Sequence, residues 1–131
     1  MTEEYMAAYN RRDFDAAIKD FHPQVDWVLP EHQSFDSCRG PRQIIRFWEG
    51  LDETFDTLQL RPQETVDFGD RVAVRLRHHV RGKGSGAELD QELYHQVTMF
   101  EDGVMVRIEY VTTWEEALEL ARAGATEHKL A

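Results

Sequence analysis

Residues 5–31, YMAAYNRRDFDAAIKDFHPQVDWVLPE, decide the fold. Tyr5, Met6 and Tyr9 recur at helical spacing and make one apolar face of a short helix. Asn10-Arg11-Arg12 is a turn, and Asp13 is a suitable N-cap for a second helix. Phe14, Ala17, Ile18 and Phe21 follow at i, i+3, i+4 and i+7, the spacing of a buried stripe. Pro23, which has no amide hydrogen, is expected to end that helix. Val25 to Leu29 then alternates as a strand, with Val25, Trp27 and Leu29 on one face.

Working outward, residues 31–40 (EHQSFDSCRG) are polar and turn-rich, an irregular link with one short strand near Ser37-Cys38. Pro41 suits the first position of a third helix, whose buried side is Ile44, Ile45, Trp48, Leu51 and Phe55. From Leu58 the period changes to two. A strand extends toward Phe68, Gly69-Asp70 turns the chain, and Val72, Val74, Leu76, His78 and Val80 share one face of the next strand. Gly82–Gly86 is a flexible link to a long strand from about Leu89 to Phe100. Asp102-Gly103 is a hairpin turn, and the last strand runs from Val104 to about Thr112. Thr113 and Glu116 form a capping box for a short closing helix that Gly124 is expected to stop. Residues 1–124 thus make one domain and 125–131 a frayed tail. The order helix, helix, strand, helix and four-strand meander is α+β, with helices on one face of a curved sheet.

A chain of 131 residues supports one hydrophobic core. With 25 acidic against 15 basic residues its formal charge is −10, which disfavours nucleic acid as a partner. The basic alternation Arg75, Arg77, Arg81 and Lys83 is the pattern of a solvated strand face. The N-terminus lacks a signal-peptide pattern, and no apolar run reaches the roughly 20 residues that span a bilayer. Cys38 is the single cysteine, which leaves no internal disulfide and no cysteine metal cluster. These features point to a cytoplasmic protein that does not enter a membrane. His78 and His79 point to opposite faces of one strand and cannot share a metal. No metal-ligand spacing appears elsewhere, and no cofactor is expected.

The runs YNRRDFDAAIKDFHPQVDWVLPE, RGPRQIIRFWEG, DRVAVRLR and QVTMFEDGVMVRIEY…EEALELA, in that order, resemble the SnoaL-like branch of the nuclear transport factor 2-like superfamily. The resemblance implies a cone, a bent antiparallel or mixed sheet with three helices from the N-terminal half on its concave face and a short C-terminal helix. It also implies an apolar cavity open at one end and a homodimer formed through the outer face of the sheet. Members include steroid isomerases, polyketide cyclases, epoxide hydrolases and dehydratases, besides proteins that only bind. The fold alone therefore does not supply the function.

In such a cone one parity of each strand faces the cavity. That parity nominates Val74, Leu76 and His78, then Tyr94, Gln96 and Thr98, then Ile108 and Tyr110, with Trp27 and Leu29 from the first strand and Trp48 from the third helix. An aromatic lining with a few neutral hydrogen-bonding groups suits a small apolar or aromatic molecule. The steroid isomerases pair a carboxylate base with a tyrosine and a neutral acid that stabilise the developing oxyanion. Tyr5 matches the tyrosine. Leu29, before Pro30, occupies the base position and cannot accept a proton. Gln96 occupies the second acid's place and still offers an amide donor. Epoxide hydrolases use two aspartates and an arginine; one of those acid positions falls on Tyr110, with Glu109 beside it. His78 is the histidine of inward parity and the candidate general base. His95 has outward parity and belongs to a subunit surface, while Glu31 and His32 fall near the cavity mouth. Three readings stand open at this point. They are a cyclase- or isomerase-type enzyme using His78, Tyr5 and Gln96, a binding protein without chemistry, and a dimeric interaction module.

Overall fold

The computed structural model describes residues 2–30 and 37–130, without the side chains of residues 2, 3 and 124–130. Glu31 and His32 lie outside the described residues. The chain runs α1 (Thr2–Asn10), α2 (Phe14–Ala17), β1 (Phe21–Val28), β2 (Cys38–Arg39), α3 (Pro41–Thr54), β3 (Phe55–Asp67), β4 (Arg71–Gly82), β5 (Glu88–Gln91), β6 (His95–Glu101), β7 (Val104–Val111) and α4 (Trp114–Leu130). The strands form one sheet ordered β2-β1-β7-β6-β4-β3, with β5 added to β4. The pairing of β1 with β7 is parallel and the remaining pairings are antiparallel, so the sheet is mixed, curved and unclosed.

Asp13 caps α2 by accepting the Ala16 amide at 3.3 Å, as its side-chain chemistry requires. The helix nevertheless lasts one turn. Phe21 leaves the helical stripe to pair with Met105 in the sheet, and the Met105 amide donates to the Asp20 carbonyl. Pro23 sits inside β1, where the register with β7 shifts between Phe21 and Asp26, so its missing amide costs no ladder bond. Asn10 has a structural task the turn reading does not reveal. Its side-chain amide donates to the Leu60 carbonyl at 2.8 Å and accepts the Leu60 amide at 2.9 Å, closing part of the β3 edge as a neighbouring strand would.

Parity along β4 separates two cores. Val74 and Leu76 face α1 and α3 in a cluster with Met6, Val25, Ile44 and Ile108. Ala73 and Val97 face the other way and pack under Ala117 and Ala121 of α4. Thus α1, α2 and α3 share one side of the sheet, and α4 covers part of the other. Thr113 caps α4 by accepting the Glu116 amide and donating to its carboxylate, both at 3.1 Å. The helix then continues through Gly124 to Leu130, because a glycine weakens a helix without ending it. The long strand expected from Leu89 to Phe100 is two strands, β5 and β6, separated at 92–94. Asp102 (φ 51°) and Gly103 (φ 78°) supply the two positive φ angles of the β6–β7 hairpin turn. The described helices include none long and apolar enough to cross a membrane.

Candidate functional site

Trp48, projecting from α3, organises the helical side of the site. Its indole meets Tyr5 (6.1 Å between ring centroids), Tyr9 (5.1 Å), Phe14 (5.3 Å) and Phe21 (6.4 Å). Trp27, on β1, packs against Phe47 of α3 (4.7 Å) and Tyr110 of β7 (5.4 Å). A gap remains between α3 and the sheet. That gap is a pocket of about 270 Å³. Its floor includes Tyr5, Tyr9, Trp27, Trp48, His78 and Tyr110, all buried. Its rim is half-buried or exposed: Leu29, Phe47 and Leu51 on one side, Phe55 and Leu58 at the start of β3, and Leu89, Leu93 and Tyr94 beyond β4.

Of the residues assigned to the cavity from sequence, Tyr5, Trp27, Leu29, Trp48, His78, Tyr94 and Tyr110 line this pocket. Val74, Leu76, Thr98 and Ile108 do not. Each is fully buried, with Val74, Leu76 and Ile108 packed in one core with Met6 of α1 and Ile44 of α3. Gln96 is likewise fully buried beneath the floor and reaches the site through Tyr5. The sequence reading put Leu51 and Phe55 on the buried side of the third helix without assigning them to the cavity, and it missed Phe47 of α3 and Leu89 and Leu93, which depend on the break between β5 and β6.

The polar atoms form a short buried chain. The Gln96 amide donates to Thr98 Oγ1 at 3.0 Å and accepts from the Tyr5 hydroxyl at 3.5 Å. The Tyr5 and Tyr110 hydroxyls share a hydrogen bond of 3.1 Å. Trp27 Nε1 is buried with no hydrogen-bond partner in alignment, although it lies close enough to the Tyr110 oxygen to favour that oxygen's ionised form. Burial raises the Tyr5 and Tyr110 hydroxyls above the usual phenol range, and pushes Tyr9 up to about 12 against the pull of Arg12. No carboxylate, lysine or arginine lines the pocket among the described residues.

His78 is therefore the one group of the described lining whose ordinary pKa lies near neutrality. Burial, reinforced by the neighbouring His95, pushes its pKa down to about 4, so the ring is neutral at pH 7. The lone pair a base would use, on Nδ1, accepts the Leu93 amide at 3.4 Å, which leaves the proton on Nε2. His95 is not on an open subunit surface: it is buried beneath Trp114 of α4, with Nδ1 accepting the Leu76 amide at 3.2 Å. Among the described residues, no three His, Cys, Asp or Glu side chains gather as metal ligands would. The basic alternation on β4 meets acids on the outer face, with Arg75 on Glu92, Arg77 on Asp90 and Arg81 on Glu88.

Comparison with known proteins agrees with this architecture. Residues 2–108 match the family model of the SnoaL-like domain. An NTF2-like protein of unknown function from Burkholderia pseudomallei is 24% identical, with a TM-score of 0.76 over 91% of this chain and 92% of that one. TerC, crystallised with polyporic acid, is 25% identical, with a TM-score of 0.72 over 92% and 94%. A Sinorhizobium meliloti protein described as a candidate polyketide cyclase is 22% identical, with a TM-score of 0.63 over 82% and 90%. No functionally curated protein matches the sequence.

Proposed function

Since the chain belongs to the SnoaL-like domain family, we propose that its pocket binds one small, neutral, largely aromatic molecule and contributes no general base of its own. One observation carries this reading: the pocket is walled by aromatic and aliphatic side chains, and its few polar atoms do not ionise near neutral pH. An ion entering such a site loses its hydration without gaining a partner, whereas an uncharged ring system loses little. At roughly 30 Å³ of liquid per water molecule, the volume is that of about nine waters, enough for one or two fused rings. The polyporic acid crystallised with TerC is a precedent for an organic guest on this fold. A proton-transfer enzyme is the second reading, supported by the Tyr5–Tyr110 pair, which can donate to an oxygen gaining negative charge. In that reading the base comes from the guest or from water, because Leu29 stands where a family carboxylate is expected. A homodimer would use the outer-face surface that α4 leaves open.

The test is a tryptophan-fluorescence titration with 2-naphthol, a neutral two-ring probe. One-to-one saturable quenching is expected, and the rim-filling variant Leu51→Trp should abolish it while keeping the unfolding curve cooperative. Absence of binding to the wild-type protein would overturn the reading. Native mass spectrometry of freshly purified protein then weighs the guest it carries.

A further inference from the structure

We propose that the polar end of the pocket recognises a hydroxyl on its aromatic guest, with the Tyr110 oxygen accepting the guest's O–H, and that Gln96 sets this polarity. The proposal rests on the binding reading above and departs from the second one, in which the same tyrosines donate.

A tyrosine hydroxyl has one proton to give and two lone pairs, whereas a glutamine carbonyl oxygen can only accept. Gln96 and Tyr110 are register partners on β6 and β7, Thr98 lies two residues further along β6, and Tyr5 of α1 joins them. Thr98 and Gln96 are fully enclosed, whereas Tyr5 and Tyr110 line the pocket, so the chain of polar groups leads from the core to the void. At its inner end Gln96 Nε2 donates to Thr98 Oγ1 at 3.0 Å, and Oε1 faces Tyr5. Among the described residues, the donor that reaches this buried oxygen is the Tyr5 hydroxyl, at 3.5 Å. A carbonyl left bare at such depth is costly, so Tyr5 spends its proton here. The 3.1 Å bond between the two phenols is then made by the Tyr110 proton, with the Tyr5 oxygen accepting.

Both phenol protons are thus committed inward, and Tyr110 presents a lone pair at the pocket end of the chain. Trp27 supports this direction. Its indole N–H is buried beside the Tyr110 oxygen without a partner in alignment, close enough to favour that oxygen's ionised form. An N–H can stand there only against a lone pair, since a phenol proton pointing the same way would meet it head-on. No carboxylate of the described lining competes for a guest's hydroxyl, and Trp27, Phe47 and Trp48 wall the space for the ring that carries it. The guest class is an uncharged phenol or aryl alcohol. An aldehyde, ketone or ether has no proton for the Tyr110 oxygen and leaves it desolvated and unpaired.

The test compares three probes of one ring system by tryptophan-fluorescence titration: naphthalene, which has no polar group, 2-naphthol, which can donate, and 2-naphthaldehyde, which can only accept. Wild-type protein should bind 2-naphthol about fivefold or more tightly than 2-naphthaldehyde. Tyr110→Phe removes only the oxygen, and should weaken 2-naphthol by about that factor while leaving the aldehyde unchanged. Gln96→Leu takes away the inner acceptor, which frees the Tyr5 proton for Tyr110 and the Tyr110 proton for the guest. The preference should then swing toward the aldehyde, and Gln96→Met, closer in volume, repeats the test. Equal wild-type affinities, a preference for the aldehyde, or a naphthol preference that survives Tyr110→Phe would overturn the hydroxyl site. A preference untouched in either Gln96 variant, with unfolding still cooperative, would overturn the role of Gln96. Naphthalene separates these outcomes from the pocket reading. If neither it nor the substituted probes bind, the pocket reading fails and the hydroxyl site falls with it; if naphthalene binds, the other two probes judge the hydroxyl site alone.

Discussion

At the scale of single residues, a leucine and a histidine govern what this pocket can do. Leu29, half-buried on the rim at the position where the family resemblance implies a carboxylate, is a side chain that accepts nothing. His78 keeps its ring neutral, and its folded pKa of about 4 lies below the unfolded value near 6.5. Between those values the unfolded chain binds the extra proton. His78 therefore adds full stability above about pH 6.5, and this contribution is lost progressively as the pH falls toward 4, on the order of 3 kcal/mol in all. Urea midpoints measured across that window should fall more steeply for wild type than for His78→Gln. Parallel curves would show that the ring is not held neutral. A different substitution reads the aromatic hub. Trp48→Ala removes the indole that four other rings pack on and should cost about 3–5 kcal/mol in a denaturation series. The identities of Tyr5, Trp27, Trp48 and Tyr110 as inward residues were legible from spacing and parity. The state of His78 was not, because it depends on how deeply the fold buries the imidazole beside His95, which no periodicity announces.

At the scale of elements, local signals were readable wherever the chain obeyed one period, and misleading where tertiary pairing overruled it. The capping residues Asp13 and Thr113, the Asp102-Gly103 turn and the parity of β4 could all be read directly. The second helix could not. Its apolar spacing continues to Phe21, but pairing with β7 draws that residue into the sheet, and the register shift in β1 accommodates Pro23. Residue 124 shows the converse, a glycine read as a stop inside a helix that continues. Asn10 illustrates how an element boundary can depend on a distant strand. Asn10→Asp keeps the size and the acceptor but loses the amide donor to the Leu60 carbonyl, and it sets a carboxylate against that oxygen. The variant should be about 1–3 kcal/mol less stable, with Asn10→Ala similarly affected. Thermal melts of the two variants beside wild type measure this, and unchanged melting would remove the edge-closing role. Gly40, with φ of 84° and space for a Cβ only 3.2 Å from the Pro23 carbonyl, should tolerate alanine poorly by the same assay.

At the scale of the whole molecule, the two faces of the curved sheet are treated differently. Met6 of α1 and Ile44 of α3 pack with Leu76 of β4 and Ile108 of β7 in one core, and beside it lies a pocket ringed by aromatic groups. On the other face α4 seals Ala73 and Val97, so the sheet is supported from behind while its front stays partly empty. Sequence order and parity conveyed the curved sheet and which strand residues face the first three helices, while a cavity was what the family resemblance implied. They did not convey its depth, which is set by how far helical side chains intrude, so residues of correct parity such as Val74 and Thr98 became core instead of lining. Charge follows the same division. Acids and bases pair on the outer surface of β4 and β5, and the described lining of the pocket holds none.

The most direct measurement of this account is the affinity of wild-type protein for 2-naphthol against 2-naphthoate, two guests of the same ring size that differ in charge at pH 7. A pocket without an ionised partner should bind the naphthol at least about tenfold more tightly, since burying an unpaired carboxylate is costly. Equal affinity, or preference for the carboxylate, would mean that a cation faces the guest, contradicting a neutral, aromatic-walled site.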